Sequence, residues 1–231
     1  MTPESLARYF DATNLRLDAT VSDIRQLCAD ATAVKAYSVM LYPTSVKLAS
    51  DVLAGTGVKV GTVAGFPSGR FSTAAKAAEI REAAKNGADE VDVVANYAEL
   101  IAGNSIFVES ELKQLSQTAH DMGVLLKVIV ETCYLSESLQ LDALRICEAA
   151  EVDFIKTSTG FGSAGATVET IALWKANRRE NIQLKAAGGI RNLTDALALI
   201  DAGADRLGLS AAIAIIEEFK TGKQGQGSGA Y

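Results

Sequence analysis

Histidine is nearly absent from this chain: of its 231 residues, His120 is the one imidazole. A single histidine leaves little material for a His-rich zinc site, and a Ser-His-Asp triad would have to be built on that residue. His120 lies in the polar stretch Gln117-Thr118-Ala119-His120-Asp121, near a helix end, where it reads as a solvated side chain. Proton chemistry is left to Lys, Asp, Glu and Tyr. Cysteine is scarce too. Cys28, Cys133 and Cys147 are odd in number and lack metal-ligand or redox spacing, so they read as reduced core thiols. No apolar run is long enough to cross a bilayer, and Met1-Thr2-Pro3-Glu4-Ser5 lacks the basic-then-apolar layout of a secretion signal. Those absences predict a cytoplasmic protein with no membrane partner. Excess positive charge is missing as well. The formal net charge of -6 argues against nucleic acid as a partner, because phosphate backbones need clustered Lys and Arg.

What is present is a regular alternation. Hydrophobic content of 48% and charged content of 22% fit an ordinary globular chain. Short apolar runs at Phe10–Leu15, Tyr37–Tyr42, Val58–Phe66, Glu90–Asn96, Val124–Thr132, Asp153–Thr157, Gln183–Gly188 and Asp205–Ser210 read as strands, most of them apolar on both faces. The stretches between them read as helices. Thr20, Ser72 and Asn192 are candidate N-caps, and Pro43 suits a first helical turn. Three joints look alike: Asn86-Gly87-Ala88-Asp89, Ala149-Ala150-Glu151-Val152-Asp153 and Ala202-Gly203-Ala204-Asp205. Each ends a helix and feeds a strand, a weak internal repeat. Eight strand-helix units in a chain of this size predict a (β/α)8 TIM barrel, which needs roughly 200 to 250 residues. The alternative is an open doubly wound sheet, but its Gly-rich first turn is missing after Phe10-Asp11-Ala12-Thr13-Asn14-Leu15. The barrel is expected over residues 1–220, with 221–231, rich in Gly, Gln and Ser, as a flexible tail.

The anomaly is charge inside the strands. Lys127, Lys156 and Lys185 recur at 29-residue intervals, and Asp92 lies one strand earlier. A closed barrel has no edge where such groups reach water freely. Unpaired buried charge is costly, so these side chains should meet one another at one barrel mouth. Neighbouring ammonium groups disfavour each other's protonation, so one lysine can be neutral near pH 7 and add to an aldehyde or ketone as a Schiff base. Pattern alone does not choose among the three. A structural ion pair, such as Asp92 with Lys127, is the other reading.

A second constellation follows the seventh and eighth strands. Ala187-Gly188-Gly189-Ile190-Arg191 and Gly208-Leu209-Ser210-Ala211 bring backbone N–H groups and a helix start to the place where barrels bind phosphate. A plain Gly-Gly turn is the alternative there.

Lys156-Thr157-Ser158-Thr159-Gly160-Phe161-Gly162 closely resembles the Schiff-base motif of deoxyribose-phosphate aldolases. Asp11-Ala12-Thr13, Gly65-Phe66-Pro67, Glu90-Val91-Asp92-Val93-Val94, the segment from Leu126 to Thr132, and Lys185-Ala186-Ala187-Gly188-Gly189-Ile190-Arg191 agree in order, over nearly the whole chain. The resemblance implies a class I aldolase on a (β/α)8 barrel, without metal or cofactor. Such enzymes reversibly cleave 2-deoxy-D-ribose 5-phosphate to acetaldehyde and D-glyceraldehyde 3-phosphate. By the same resemblance Lys156 forms the imine and Lys185 keeps it deprotonated. Asp92 relays protons and Lys127 stands near the site. Thr13, Thr159, Gly160, Gly188, Gly189, Arg191, Gly208 and Ser210 bind substrate and its phosphate. In some members a terminal tyrosine on a flexible tail assists proton transfer, and this chain ends in Tyr231. Sugar phosphate and aldehydes are the expected partners, and a homo-oligomer, dimer or tetramer, the expected assembly. Three positions depart from the family pattern: Ala12 replaces a usual His, Ala211 a frequent Ser, and Met40 a frequent Cys. Rival readings are another Schiff-base sugar-phosphate aldolase or transaldolase, a phosphate-binding barrel with other chemistry such as an isomerase, and a non-catalytic sugar-phosphate-binding barrel.

Overall fold

A computed structural model describes residues 1–223, so Tyr231 lies outside the described residues. Within them, eight strands form one closed parallel barrel in sequence order. They are β1 (Phe10–Thr13), β2 (Ser38–Leu41), β3 (Lys59–Ala64), β4 (Glu90–Val94), β5 (Leu125–Ile129), β6 (Phe154–Lys156), β7 (Gln183–Ala187) and β8 (Arg206–Leu209), with β8 pairing back onto β1. Each predicted apolar run holds one of them. The runs overshoot the strands at their C-terminal ends, where the chain leaves the ladder to build the mouth. Among the described residues no helix is long and apolar enough to cross a membrane.

Local signals explain the helices. Thr20, Ser72 and Asn192 accept from Asp23, Ala75 and Asp195 N–H groups respectively, as caps should. Pro43 opens a 3-10 turn, Pro43–Ser45, and the α-helix begins only at Val46. The three similar joints share a device. Asp89, Asp153 and Asp205 each donate a backbone N–H to the preceding strand, at Val60, Leu126 and Leu184. Each side-chain carboxylate accepts the N–H of that same residue. A reciprocal clamp therefore fixes the register of β3, β5 and β7 against the strand that follows. His120, expected to be solvated, is half-exposed and meets Asp153 at 3.0 Å. It stands at the start of β6, the barrel end opposite the mouth.

Period-two alternation sorts the strand residues. Ala12, Val39, Val91, Val93, Leu126, Val128, Ile155, Leu184, Ala186 and Leu207 pack into one continuous core with the helices. Asp11, Met40, Asp92, Lys127, Lys156 and Lys185 occupy the alternate, inward positions. Cys28 and Cys147 are buried as expected, whereas Cys133 is only half-buried and sits on the rim.

One buried ion pair outside the barrel braces two mouth loops. Lys76 bonds both oxygens of Glu111 at 3.0 Å, with neither side chain exposed. Glu111 also accepts the Asn96 N–H in the loop after β4. The Lys76 stem lies under Gly65, so close that a Cβ there would come within 2.9 Å of its Cε. Lys76→Met would strand a buried carboxylate and should cost about 3 to 5 kcal/mol in denaturant unfolding. Adding Glu111→Leu should restore a large part of that loss. Wild-type stability in the single variant would mean that the pair braces nothing.

Candidate active site

The three lysines come together as the 29-residue spacing predicts, on β5, β6 and β7. Lys156 pairs with Lys185 in strand register, and Asp92 with Lys127. Asp92 is the common acceptor. Its Oδ2 takes hydrogen bonds from Lys156 at 2.8 Å and Lys185 at 2.7 Å, and its Oδ1 takes one from Lys127 at 3.1 Å. The cluster was expected at the barrel mouth. It lies instead within the barrel, because the side chains point inward from the strands themselves and the closed sheet covers them.

The cluster is also larger than the sequence reading made it. Lys127 bonds Glu90 at 2.7 Å, and Lys185 bonds Asp11 at 2.5 Å. Arg206 bonds Asp11 at 2.7 Å, reaches Glu90 at 3.4 Å and stacks on Tyr37 with its Cζ 3.4 Å from the ring centre. Asp11, Glu90 and Arg206 were not singled out from sequence. The sequence carried a hint for the first two, whereas Arg206 stands out only in strand register. Glu90 shares a strand face with Asp92 two residues on, Asp11 lies in the first strand run, and Arg206 is the register partner of Lys185.

Exposure and electrostatics choose among the amines where pattern could not. Lys127 and Lys185 side chains are completely covered, and Lys156 keeps 4% of its side chain accessible. Lys156 is the last residue of β6, facing the open end. Its pKa is lowered from 10.5 to about 8, first by burial and then by Lys185 and Lys127, against the pull of Asp92. The neighbouring ammoniums thus contribute as expected, but desolvation is the larger cause. Burial would lower Lys127 as well, but Asp92, Glu90 and Asp11 outweigh it and raise its pKa, fixing a proton there. Burial would raise Asp92, and the three lysines outweigh it and hold the carboxyl well below its ordinary value. At rest, one amine titrates near pH 8, one ammonium keeps its proton and one carboxyl is ionised.

The glycine-rich segments form a cleft beside this cluster. Gly160, Gly188, Gly189, Ile190, Arg191, Gly208, Leu209 and Ser210 line an open cleft of about 60 Å³. Gly160, Gly188 and Gly189 have φ of 92°, 83° and 79°, conformations that glycine adopts at no steric cost. At Gly208 a Cβ would sit 3.1 Å from Lys185 Cε, so glycine there lets the lysine lie against β8. Helix Ala212–Thr221 begins immediately after the cleft. Its N-terminal dipole adds to a site suited to an anion.

Two expected binding residues fall outside the cleft lining. Thr13 donates its hydroxyl to the Asp11 carbonyl at 2.8 Å. The Thr159 hydroxyl is held by Glu131, a buried residue to which the sequence reading gave no role. Of the departures, Ala12 faces the helix layer and not the charge cluster. A larger residue at position 12 would meet the outer core first. Met40 lies in a small apolar patch with Leu15 and Val63, next to Tyr42 and Phe66. Ala211 is buried at the start of the last helix. Among the described residues no three His, Cys, Asp or Glu side chains are grouped to hold a metal ion.

Residues 6–218 match the model of a family described as DeoC/LacD family aldolase. A deoxyribose-phosphate aldolase of Aciduliprofundum boonei is 43% identical over 217 residues, which is 94% of this chain and 98% of the relative. Another, from Actinobacillus succinogenes, is 44% identical over 94% of this chain and 96% of its own length. Among solved structures, a tetrameric deoxyribose phosphate aldolase from Aeropyrum pernix superposes with a TM-score of 0.89 at 30% identity, covering 96% of this chain and 94% of that one.

The amine at position 156 has a testable pH signature. Its free-base fraction grows as pH rises through about 8, so imine formation with a simple aldehyde should accelerate from pH 6 to 9. Lys185→Gln removes a like charge and should move that midpoint up by about one pH unit. A rate of cyanoborohydride trapping that ignores pH, or a midpoint that falls in the variant, would refute this account of Lys156.

Proposed function

Because the chain belongs to the DeoC/LacD aldolase family, we propose that it is a deoxyribose-phosphate aldolase working through a Schiff base on Lys156. The observation that carries this reading is a single near-neutral amine, hydrogen-bonded to an ionised carboxylate, beside an anion-binding cleft. The Lys156 Nζ adds to the C1 aldehyde of open-chain 2-deoxyribose 5-phosphate, and water leaves to give the protonated imine. The C3 hydroxyl gives up its proton. The C2–C3 bond then breaks, its electron pair moving to C2 and the imine nitrogen as an enamine. Glyceraldehyde 3-phosphate departs. A proton added to C2 regenerates the imine, and water hydrolyses it to acetaldehyde and free Lys156.

The residues divide this work. Asp92 and Lys185 carry the proton between the hydroxyl and water, supported by their shared hydrogen bond of 2.7 Å. Lys127 stays charged between Glu90 and Asp92 and keeps Asp92 ionised and in place. Gly160, Gly188, Gly189, Arg191, Gly208 and Ser210 take the phosphate, which anchors the substrate at the far end from C1. Thr13 and Thr159 support the walls around it. Tyr231 delivers the proton to C2. We place the enzyme in the cytoplasm as a homo-oligomer, dimer or tetramer. The tetrameric relative from Aeropyrum pernix supports that assembly.

Borohydride reduction in the presence of acetaldehyde, followed by peptide mass spectrometry, should find an ethyl group on Lys156. An adduct confined to Lys127 or Lys185 would overturn the assignment. Lys156→Arg should abolish cleavage while sugar phosphate still binds. A ketose-phosphate aldolase would instead trap a ketone, which separates that rival. Deleting Tyr231 should slow proton exchange on acetaldehyde, and an unchanged exchange rate would remove the tail from the mechanism.

A further inference from the structure

Glu131 is a buried acid that the proposed cycle does not use. It follows β5 with φ of 53° and ψ of 65°, the left-handed region that non-glycine side chains rarely adopt. The cause is a bulge at the barrel rim. Val130 N–H bonds the Lys156 carbonyl, and Thr132 N–H bonds the Thr157 carbonyl. The chain after β5 thus advances two residues while the chain after β6 advances one, and Glu131 is the extra residue. Bulges of this kind re-aim a side chain next to a site, and strain kept at such a place marks a constraint worth its cost.

The re-aimed carboxylate grips the loop that follows Lys156. Its two oxygens take the Thr159 N–H at 3.2 and 3.3 Å, and Oε2 takes the Thr159 hydroxyl. Thr159 Oγ1 in turn accepts the Phe161 N–H at 3.0 Å. Gly160, whose backbone lines the anion cleft, is therefore held from both sides by one chain of bonds. The same acid packs against Gly162, where a Cβ would come within 3.1 Å of its carboxyl.

We propose that Glu131 is a positioning residue that fixes the span between the imine-forming Lys156 and the phosphate cleft, and so makes turnover depend on the substrate's phosphate. The inference rests on the aldolase reading above. A rigid span lets phosphate binding orient C1 at Lys156, and loss of the span uncouples the two. Substrates without phosphate do not use the span. The role is geometric, so an amide that still accepts from Thr159 should serve in part, although it carries no charge.

The test compares Glu131→Ala and Glu131→Gln with wild type on three reactions. These are cleavage of 2-deoxyribose 5-phosphate, cleavage of free 2-deoxyribose, and borohydride trapping of acetaldehyde on Lys156. Wild type must cleave 2-deoxyribose 5-phosphate at C2–C3 and trap at Lys156, otherwise the aldolase reading itself fails. Given that, Glu131→Ala should lose about tenfold to a hundredfold in kcat/KM for the phosphorylated sugar, the size of loss expected of a small misplacement. It should keep its rate on free sugar and its trapping within about threefold, and Glu131→Gln should recover part of the loss. Equal losses on both sugars would overturn the proposal, as would a Gln variant as impaired as Ala. If Glu131→Ala does not fold, Glu131→Gln decides alone. A ratio of phosphorylated to free-sugar kcat/KM equal to that of wild type would sink the idea, and a ratio reduced several-fold would support it.

Discussion

Asp92 accepts hydrogen bonds from three lysines inside a closed barrel, and most of the interior is arranged around that fact. One carboxylate cannot neutralise three buried cations, and uncompensated charge in a low-dielectric interior is severely penalised. Glu90 and Asp11 supply two more negative charges. Arg206 then joins Asp11 to Glu90 across the barrel. With every group ionised, the barrel holds Lys127, Lys156, Lys185 and Arg206 against Asp11, Glu90 and Asp92, one cation too many. Arginine does not release its proton, and Lys127 is held by two close acids. The surplus proton is most easily lost from Lys156, whose one ion-pair partner among the described residues, Asp92, is shared with two other ammoniums. The groups titrate as a set, and the nucleophile is the member on which the set places its deficit.

The interior is divided as well as charged. Seven strands contribute to the polar network, counting Ser38 of β2, which bonds Asp11 at 2.7 Å. On β3 the inward side chain is Val63, which meets Met40 and Leu15. Gly61 on β3 leaves room for Met40, whose Cε would lie 2.6 Å from any Cβ there. Tyr42, Phe66 and Phe161 continue this apolar side through edge-to-face contacts at the rim, with ring centres 6.0 and 5.4 Å apart. An apolar wall opposite a charged one limits water near Lys156. That keeps desolvation the leading influence on its pKa and protects an imine from early hydrolysis.

How much of this was legible in the sequence depended on which physical rule each residue obeyed. The strands announced themselves because parallel strands covered on both faces must be apolar. Lys127, Lys156 and Lys185 stood out because they broke that rule at equal spacing. Glu90 and Arg206 broke it too but open their strands, and Asp11 lies one residue into β1, so each is unremarkable from pattern alone. Their inward direction follows from strand pairing and alternation, which need the barrel's register. Thr159 was expected at the substrate, and its hydroxyl is committed to Glu131. That difference was invisible beforehand because it turns on a one-residue bulge, which shifts side-chain facing without leaving a compositional trace.

A barrel keeps so costly an interior for a reason other than stability. Replacing a buried ion network by apolar residues of similar volume is often neutral or stabilising, so stability alone gives no reason for Glu90 and Arg206 to lie beneath the reactive amine. Their value is electrostatic and directional. Glu90 shares Lys127 with Asp92, which pins Lys127 as a permanent cation and leaves Asp92 Oδ2 free for Lys156 and Lys185. Arg206 occupies Asp11 Oδ1, so that Lys185 is confined to Asp11 Oδ2 and Asp92 Oδ2. Each lower pair removes an alternative proton position from the upper one. What remains at the open end is a lysine with one shared acid, slight access to solvent and a pKa lowered to about 8, next to a cleft that orients an anion. The buried charges thus convert folding free energy into a defined protonation state at a single nitrogen.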